Sequence, residues 1–377
     1  MTRLAYLDYN AGAPVRPEVV AGMAEAIAQP GNPSSVHGPG RAARARVEAA
    51  RATIAALMGA PGAGVVFTSG GTEANNLALR GSGRRRVLVS AVEHASVREA
   101  VPEAEVIPVD GDGVVDLAAL ERLLQASPEP AIVSVMLANN ETGVIQPVAR
   151  VAAVARAHGA LVHCDAVQGP GKLSVRLSDL DVDFLTLSAH KLGGPAGIGA
   201  LVASNPDIAV APILLGGGQE RRRRAGSENL AGIVGFGIAA RMVAGQGDAG
   251  ERVKELRDRL EAAVKARVPG AAVVGANAPR LGNTVCLALP DVPAQVQVMA
   301  LDLAGVAVSA GAACSSGKVG ESVVLRAMGL APELAGSAIR VSLGWASTAE
   351  DVEQFLDAWC DLARRKGFEV RDAAQAA

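Results

Sequence analysis

The segment "DFLTLSAHKLGGPAGIGALVA", residues 183–203, combines two apolar runs with a polar, glycine-rich turn between them. The runs "DFLTLSA" and "GIGALVA" are nearly continuous in apolar residues, which is typical of strands buried on both faces of a sheet. A serine, a histidine and a lysine end the first run. Because ligands collect beyond the carboxyl ends of strands in such sheets, Lys191 is placed unlike a lysine on a solvated surface.

Similar apolar runs recur through the first two thirds of the chain and alternate with alanine-rich helical patterns such as "VDLAALERLLQ". This alternation predicts an α/β protein with a mostly parallel, seven-stranded sheet covered on both faces. The predicted strands are "GVVFTS", "RVLVSA", "AEVIPV", "AIVSVML", "ALVHCDAV", "DFLTLSA" and "GIGALVA".

The pattern changes near residue 250, where a long charged helix leads into shorter strands and a final helix at 348–366. The strands predicted here are "AAVVG", "GNTVCLALP", "VAVSAG" and "AIRVSLG". We therefore expect a large domain of residues 15–250 and a smaller α+β domain made of residues 1–14 and 251–377.

Composition excludes several classes of protein. Aromatic residues make up 2% of the 377 residues, which argues against an aromatic platform that stacks nucleic-acid bases. A formal net charge of −2 gives no general attraction to nucleic acid or to an anionic membrane. The N-terminal residues lack the apolar core of a secretory signal, and no apolar stretch is long enough to span a bilayer, so a cytoplasmic protein is expected.

The four cysteines form no CxxC pair, so neither a disulfide framework nor a zinc or other metal site is predicted. Cys286 and Cys360 lie in apolar strand-like and helix-like contexts and are expected to be core residues. Cys314, in "VSAGAACSSGK", has only small and polar neighbours. Its surroundings alone leave open a core residue, a metal ligand, half of a disulfide or a nucleophile.

Polar residues gather where the predicted strands end. Several have an ordinary structural explanation: Gly71 and Thr72 as the start of a helix, His94 as a cap, and the Asn140 segment as a turn. Taken together, a lysine able to form a Schiff base, a carboxylate at a strand end and a phosphate cup predict pyridoxal 5′-phosphate (PLP). The residues behind this prediction are Gly71, Thr72, Asp165, Ser188, His190 and Lys191, and His94, Asn140 and Gln168 stand out at the ends of the same predicted strands.

The sequence resembles the cysteine desulfurases, which are in the class V aminotransferase branch of fold-type I PLP enzymes. The resemblance runs from "YLDYNAGAP" to the final helix, and the order and spacing of the motifs are kept. It rests on "FTSGGTEANN", "VEHASV", "NNETG", "HCDAVQ", "SAHKLGGPAGIG", "GGGQERRRRAGSEN", "GAACSSG" and "IRVSLG". It implies a fold-type I PLP-dependent transferase.

The resemblance also implies a role for each cofactor residue. Lys191 would bond to the cofactor and later move a proton, and Asp165 would pair with the pyridine nitrogen. Gln168 and Asn140 would lie at the ring hydroxyl, and His94 would stack on the ring. The phosphate would be held by Gly71, Thr72, Ser188 and His190.

For catalysis, the resemblance implies L-cysteine as substrate, with Arg340 on its carboxylate and Asn32 at the mouth of the site. The Cys314 thiolate would take the sulfur as a persulfide, releasing L-alanine, and pass it to an acceptor protein such as an iron–sulfur scaffold or a factor for transfer-RNA or cofactor thiolation. Ser227 replaces a threonine that reaches the phosphate of the neighbouring subunit, which implies a homodimer with a shared site. The segment from Cys314 to "VLRAMG" resembles the longer-loop group that supplies scaffold proteins.

Other functions remain open from the sequence. They are a selenocysteine lyase, a class V aminotransferase or lyase with an idle Cys314, and a non-catalytic assembly scaffold. The arginine run Arg221–Arg224 is a solvated or phosphate-facing surface, or a docking patch for an acidic acceptor or transfer RNA.

Overall fold

The computed structural model of the chain describes residues 3–60, 64–311 and 322–371, so Cys314 lies outside the described residues. Strands account for all the apolar runs predicted above. They are β1 Ala5–Tyr6, β2 Gly64–Thr68, β3 Arg86–Ser90, β4 Glu105–Ile107, β5 Ala131–Ser134, β6 Leu161–Asp165, β7 Phe184–Ser188, β8 Gly199–Ala203, β9 Ala272–Val273, β10 Thr284–Ala288, β11 Val306–Ala307, β12 Ser309–Ala310 and β13 Ala338–Ser342.

Helices fill most of the intervals between these strands. They are α1 Pro17–Ala28, α2 Gly38–Leu57, α3 Gly71–Gly81, α4 Ala95–Arg98, α5 Leu117–Gln125, α6 Val148–Ala157, α7 Leu177–Leu180, α8 Leu230–Ala244, α9 Ala249–Arg267, α10 Ala294–Leu303, α11 Val323–Ala327, α12 Pro332–Ala335 and α13 Ala349–Arg365. A short 3₁₀ turn, Ala189–Lys191, follows β7 directly.

The large sheet has seven strands in the order β2-β8-β7-β6-β5-β3-β4. Neighbouring strands from β7 to β4 are parallel, and β8 runs antiparallel to both of its neighbours. This confirms the predicted α/β fold with a mostly parallel sheet. The strands are buried along nearly their whole length because helices cover both faces, which explains their continuous apolar sequence.

One side of this sheet is covered by α2 and α8. An added Cβ at Gly237 would lie 2.8 Å from the Cβ of Ala50, so the glycine lets these two helices approach closely. Phe236 and Ile54 are buried in the hydrophobic core between these helices and the sheet. This packing holds the large sheet rigid. The carboxyl ends of its parallel strands are therefore fixed along one edge.

The second half of the chain forms a separate four-stranded antiparallel sheet, in the order β12-β13-β10-β9. The predicted strand "VAVSAG" is divided in two, because β11 pairs with β1 while β12 pairs with β13. Helix α13 begins at a capping box of Thr348 and Asp351, and its Trp359 is fully buried in the core of this half. The division into domains at residues 15–250, and 1–14 with 251–377, stays a prediction.

The N-terminal residues connect the two sheets. Asp8 forms an isolated bridge with Ser342 at the end of β13, and the backbone N–H of Ala13 donates to the carbonyl of His190 after β7. Within the described residues, no single helix is long and apolar enough to cross a membrane; α8 and α9 pass that test only as a pair, bent by 77°.

Candidate active site

A cavity of about 200 Å³ lies at the carboxyl edge of the parallel strands, next to the four-stranded sheet. Predicted residues far apart in the sequence line it together, since parallel strands end on the same edge. Those residues are Gly71, Thr72, His94, Asn140, Asp165, Gln168, Ser188, His190, Lys191 and Arg340. The lining also includes residues that the sequence analysis did not single out, among them Asn10, Asn75 and Ser96.

Asp165 ends β6 with its carboxylate almost fully buried at the cavity wall. The backbone N–H of Val167 donates to Oδ1 at 3.0 Å, and the side-chain amide of Asn75 donates to Oδ2 at 2.8 Å. Asn75 also donates to the hydroxyl of Ser96. Sequence reasoning missed Asn75, although its place one turn after Gly71 on α3 puts it on the same helix face.

Lys191 ends the 3₁₀ turn after β7, and its amino group lies beside the N-terminal segment. Nζ donates to the backbone carbonyl of Ala11 at 2.8 Å and to that of Asn10. These carbonyls hold the amino group at the cavity wall. The glycine-rich sequence after Lys191 makes the tight turn back to β8, with Gly193 in the left-handed region at a φ of 81°.

Part of the cavity lining offers donors for an anion. The eleven-residue helix α3 begins at Gly71 without a side-chain cap, so its first N–H groups are available to a ligand. An added Cβ at Gly71 would lie 3.0 Å from a Val167 methyl group, so a glycine is needed for this close packing. The Ser188 hydroxyl lies 2.8 Å from His190 Nδ1 on the same wall.

Burial and the nearby Lys191 charge lower the pKa of His190 to about 4. The imidazole is therefore neutral at pH 7 and would contact an anion through hydrogen bonding, not through charge. An uncapped helix start, small residues and hydroxyl groups form a suitable donor set for a phosphate. Together with Asp165 and Lys191 in the same cavity, these residues fit PLP.

His94 lies at the start of α4, and its predicted stacking on a cofactor ring stays a prediction. It caps α4 by accepting the N–H of Ser96 at Nδ1, with the Ser96 hydroxyl 2.8 Å from the same nitrogen, and it lines the cavity. Gln168 also lines the cavity, is 5% exposed, and its Nε2 donates to the Asn10 carbonyl at 3.0 Å.

Arg340 is supplied by β13 of the four-stranded sheet and reaches the cavity from that side. Its guanidinium donates to Asp8 Oδ1 at 2.7 Å and to the backbone carbonyl of Asn140 at 3.0 Å. Its Nε is buried and, among the described residues, has no hydrogen-bond partner. A guanidinium with a donor to spare is suited to bind a carboxylate.

Two carboxyl groups are buried close to the cavity. Burial and the neighbouring Asp165 raise the pKa of Glu93 to about 8, although Ser90 and the N–H of Met136 donate to it. Burial also raises the pKa of Glu141 to about 7, and Ser322 donates to it at 2.6 Å. Sequence reasoning gave neither residue a role.

Two predicted residues do not line this cavity. Asn32 is exposed, and its side-chain oxygen accepts the N–H of Ser34 in a turn. Ser227 is exposed at a different cavity, near Arg224 and Glu228. Cys314 lies outside the described residues. The roles of all three stay predictions.

The arginine run divides into two pairs. Arg223 donates to the carbonyl of Ile208 and Arg224 to Glu73, so these two side chains are used within the chain. Arg221 and Arg222 are exposed and adopt the left-handed backbone conformation, with φ values of 56° and 67°. A docking role for them stays a prediction.

The other cysteines are buried, which confirms the core role predicted for Cys286 and Cys360. Burial raises the pKa of Cys286 to about 12 and that of Cys164 well above its ordinary value. These thiols are protonated at pH 7 and unsuited to nucleophilic attack. Within the described ranges, no three side chains of His, Cys, Asp and Glu are grouped so as to bind a metal ion.

Comparison with known proteins agrees with this geometry. Residues 5–355 match the family model "Aminotransferase class-V". A cysteine desulfurase of Cereibacter sphaeroides is 44% identical over 367 residues, covering 93% of this chain and 94% of the relative. Cysteine desulfurase IscS of Dictyoglomus turgidum is 38% identical, covering 95% of this chain and 94% of its own.

Solved structures show the same relationship. A NifS-like protein from Rickettsia africae has a TM-score of 0.90 at 35% identity and covers 96% of this chain and 100% of its own. A structure described as SspA in complex with cysteine has a TM-score of 0.75 at 26% identity, covering 91% and 99%. The fold, the arrangement of the site and these relatives together show that the chain belongs to the class-V aminotransferase family and, within it, to the cysteine desulfurases.

Proposed function

We propose that the chain removes sulfur from L-cysteine with PLP, releasing L-alanine and leaving a persulfide on Cys314 for transfer to an acceptor. The observation that carries the proposal is the meeting of Lys191, Asp165 and the start of α3 in one cavity that Arg340 enters from the other sheet. The relatives named cysteine desulfurase support the activity. The neighbour solved with cysteine supports the substrate.

The cofactor would be held at both ends of the cavity. Asp165 would face the pyridine nitrogen, fixed by its bonds to Asn75 and Val167, and Lys191 would bond to the aldehyde. The start of α3 with Ser188 and His190 would hold the phosphate. When bound, PLP supplies a ring that accepts electrons from the Cα of an amino acid.

The residues of the chain then move protons and orient the substrate. Arg340 would bind the substrate carboxylate through its guanidinium and so fix which bond at Cα faces the amino group of Lys191. That amino group would remove the Cα proton and later return one. His94, held at Nδ1 by Ser96, would keep its ring against the cavity.

Cys314 would carry the sulfur transfer. Its thiolate attacks the sulfur of the bound cysteine, an S–S bond forms, and the bond between that sulfur and Cβ breaks. The electron pair of the broken bond stays with the organic fragment, which takes up a proton and leaves as L-alanine. Only the thiolate is competent, and the ordinary thiol pKa is about 8.5, so the rate should rise with pH as this group ionises.

Three further statements belong to the same proposal. We infer a homodimer in which Ser227 contacts the phosphate site of the partner subunit, and a cytoplasmic location. The acceptor would be a protein, such as an iron–sulfur scaffold or a factor of transfer-RNA or cofactor thiolation. The exposed Arg221 and Arg222 would offer positive charge to an acidic acceptor.

The test is turnover of L-cysteine by the PLP-loaded protein with a thiol reductant present, which releases the persulfide sulfur as sulfide, and alanine and sulfide are measured together. The wild type should produce the two in equal amounts, and Cys314→Ala should bind PLP normally but release no sulfide. A matched control is Cys360→Ala, which removes a buried thiol remote from the cavity and should keep most of the activity. Full turnover by Cys314→Ala would instead indicate a lyase that does not use this thiol.

A further inference from the structure

A second lysine lies directly behind the active-site cavity. Lys172 follows Gln168 by four residues, and its amino group donates to Asn10 Oδ1 at 2.8 Å and to Gln168 Oε1. Lys172 does not line the PLP cavity itself. It lines a neighbouring cavity of about 50 Å³ that Lys191 also borders, so Asn10 and Gln168 form a wall between Lys172 and the PLP cavity.

The hydrogen bonds of Gln168 have a definite direction because of this lysine. An amide side chain has one oxygen that accepts and two N–H groups that donate, and it can turn over to exchange them. The amino group of Lys172 donates to the Gln168 oxygen, which places that oxygen on the side of the lysine. Gln168 Nε2 then gives one N–H to the Asn10 carbonyl at 3.0 Å, which leaves a second N–H for the PLP cavity that Gln168 lines.

Lys172 fixes the amide of Asn10 in the same way. Asn10 Oδ1 accepts from both Lys172 and Asn283, the latter at 3.1 Å. The Asn10 amide nitrogen is therefore directed to Thr284 Oγ1 at 2.9 Å and to the Asn140 carbonyl at 3.2 Å. One amino group thus donates to the oxygens of two amides, and the Asn10 backbone carbonyl beside them accepts from Lys191.

The electrostatic surroundings are consistent with a positioning role. Burial, Lys191 and Arg340 all lower the pKa of Lys172, because three cationic side chains lie close together. Its two acceptors are amide oxygens, and neither is a carboxylate that would anchor it as a surface ion pair. A lysine kept in such a place costs desolvation free energy, which the hydrogen bonds to the two amides offset.

We propose that Lys172 is a positioning residue of the cofactor site: it holds the Gln168 oxygen away from the cavity, so that Gln168 presents an N–H to the ring hydroxyl oxygen of PLP. The proposal rests on the proposed function, since that function places PLP in this cavity. Without Lys172 only the bond to the Asn10 carbonyl would hold the amide, so the amide would turn over more often and place its oxygen against the oxygen of the ring.

A double-mutant cycle tests the proposal through cofactor binding. Lys172→Met, Gln168→Leu and the double variant are prepared without cofactor, and PLP is titrated into each while its absorbance is followed with pH. Lys172→Met should raise the dissociation constant for PLP about tenfold. A change of this size corresponds to the loss of one hydrogen bond to a polar or charged group. In a protein that already carries Gln168→Leu, adding Lys172→Met should change the PLP dissociation constant less than about twofold, because the residue through which Lys172 acts is gone.

Two controls separate positioning from general stability. Lys265→Met removes an exposed lysine of α9 and should leave PLP binding unchanged. Lys172→Gln keeps an N–H donor and should recover part of the affinity; if Lys172→Met fails to fold, the cycle is run with Lys172→Gln against Gln168→Leu. The pH midpoint of the PLP absorbance change should also move in Lys172→Met, which a purely structural loss would not cause.

Independent, multiplicative effects of Lys172→Met and Gln168→Leu on PLP affinity would overturn the inference. So would a lower melting temperature with unchanged PLP affinity and absorbance. These results are distinct from failure of the proposed function, in which the wild type would bind PLP yet produce no sulfide from L-cysteine.

Discussion

The two sheets contribute to the candidate site in different ways. The seven-stranded sheet supplies side chains from the ends of several strands. Asp165 and Ser188 bond there to residues two positions along the chain, and Asp165 also to Asn75 on α3. The four-stranded sheet supplies Arg340, whose partners Asp8 and Asn140 lie about 330 and 200 residues away in the sequence.

The difference suggests that one sheet would bind the cofactor and the other the substrate. Groups that would hold a cofactor lie on one rigid edge, where packing of both sheet faces fixes the strand ends. The group that would bind the substrate carboxylate comes from a separate sheet, joined to that edge through the N-terminal segment. Variants on the first sheet should therefore affect cofactor binding, and variants on the second should affect the substrate.

The largest effect is expected from Lys191→Ala on the large-sheet side. Alanine formation should fall by about 10³-fold or more, because one amino group both anchors the cofactor and moves the proton. Mass spectrometry after borohydride reduction should find PLP attached to a Lys191 peptide in the wild type and no attachment in the variant. Lys254→Ala, an exposed lysine of α9, is the matched control. Attachment of PLP to another lysine of the wild type would contradict the assignment.

Arg340→Lys should impair the use of the substrate while leaving the binding of the cofactor intact. The lysine keeps the charge but loses the planar pair of donors, so kcat/KM for L-cysteine should fall about 10²-fold. The PLP absorbance and dissociation constant should stay within about twofold of the wild type, since the PLP-binding groups lie on the other sheet. Loss of PLP together with activity would show that the two sheets do not act separately.

Asn75→Leu is expected to have a smaller effect, confined to the cofactor side. The substitution removes the N–H that donates to Asp165 at 2.8 Å, so PLP affinity and turnover should each fall about tenfold. Asn76→Leu is a close control: its side chain is one residue along the same helix and donates to the Thr72 carbonyl instead. Equal effects of the two substitutions would indicate loss of helix stability and not of support for Asp165.

These predictions also mark how far sequence reasoning reaches. The strands and the residues at their ends follow from local patterns: a buried apolar run ends, and Asp165 or Lys191 comes next. Asn10 and Lys172 gave no such signal, because their importance depends on contacts between segments about 160 residues apart. Arg340 was identified through resemblance, whereas its contact with Asp8 required the pairing of strands from opposite ends of the chain.

The smallest effect on activity, and a clear one on stability, is expected from Glu93→Gln beside Asp165. The folded-state pKa of Glu93 is about 8, against 4.5 for an ordinary glutamate. Between these values the unfolded chain releases a proton that the folded chain keeps, so this group makes the wild type less stable as pH rises from 4.5 to 8. Glutamine keeps the acceptor for Ser90 and Met136 but does not ionise.

The melting temperature of Glu93→Gln should therefore rise relative to the wild type between pH 5 and pH 8.5, by several degrees, since each pKa unit corresponds to about 1.4 kcal/mol. Glu141→Gln, next to Arg340, should show a smaller gain that is complete near pH 7, because the pKa of Glu141 is about 7. If the difference in melting temperature between Glu93→Gln and the wild type did not change with pH, the neighbours of Glu93 would fully compensate the cost of burying its carboxylate. A larger gain in melting temperature for Glu93→Gln than for Glu141→Gln would show that a carboxyl group is more costly to bury at the edge of the large sheet than beside Arg340 of the small sheet.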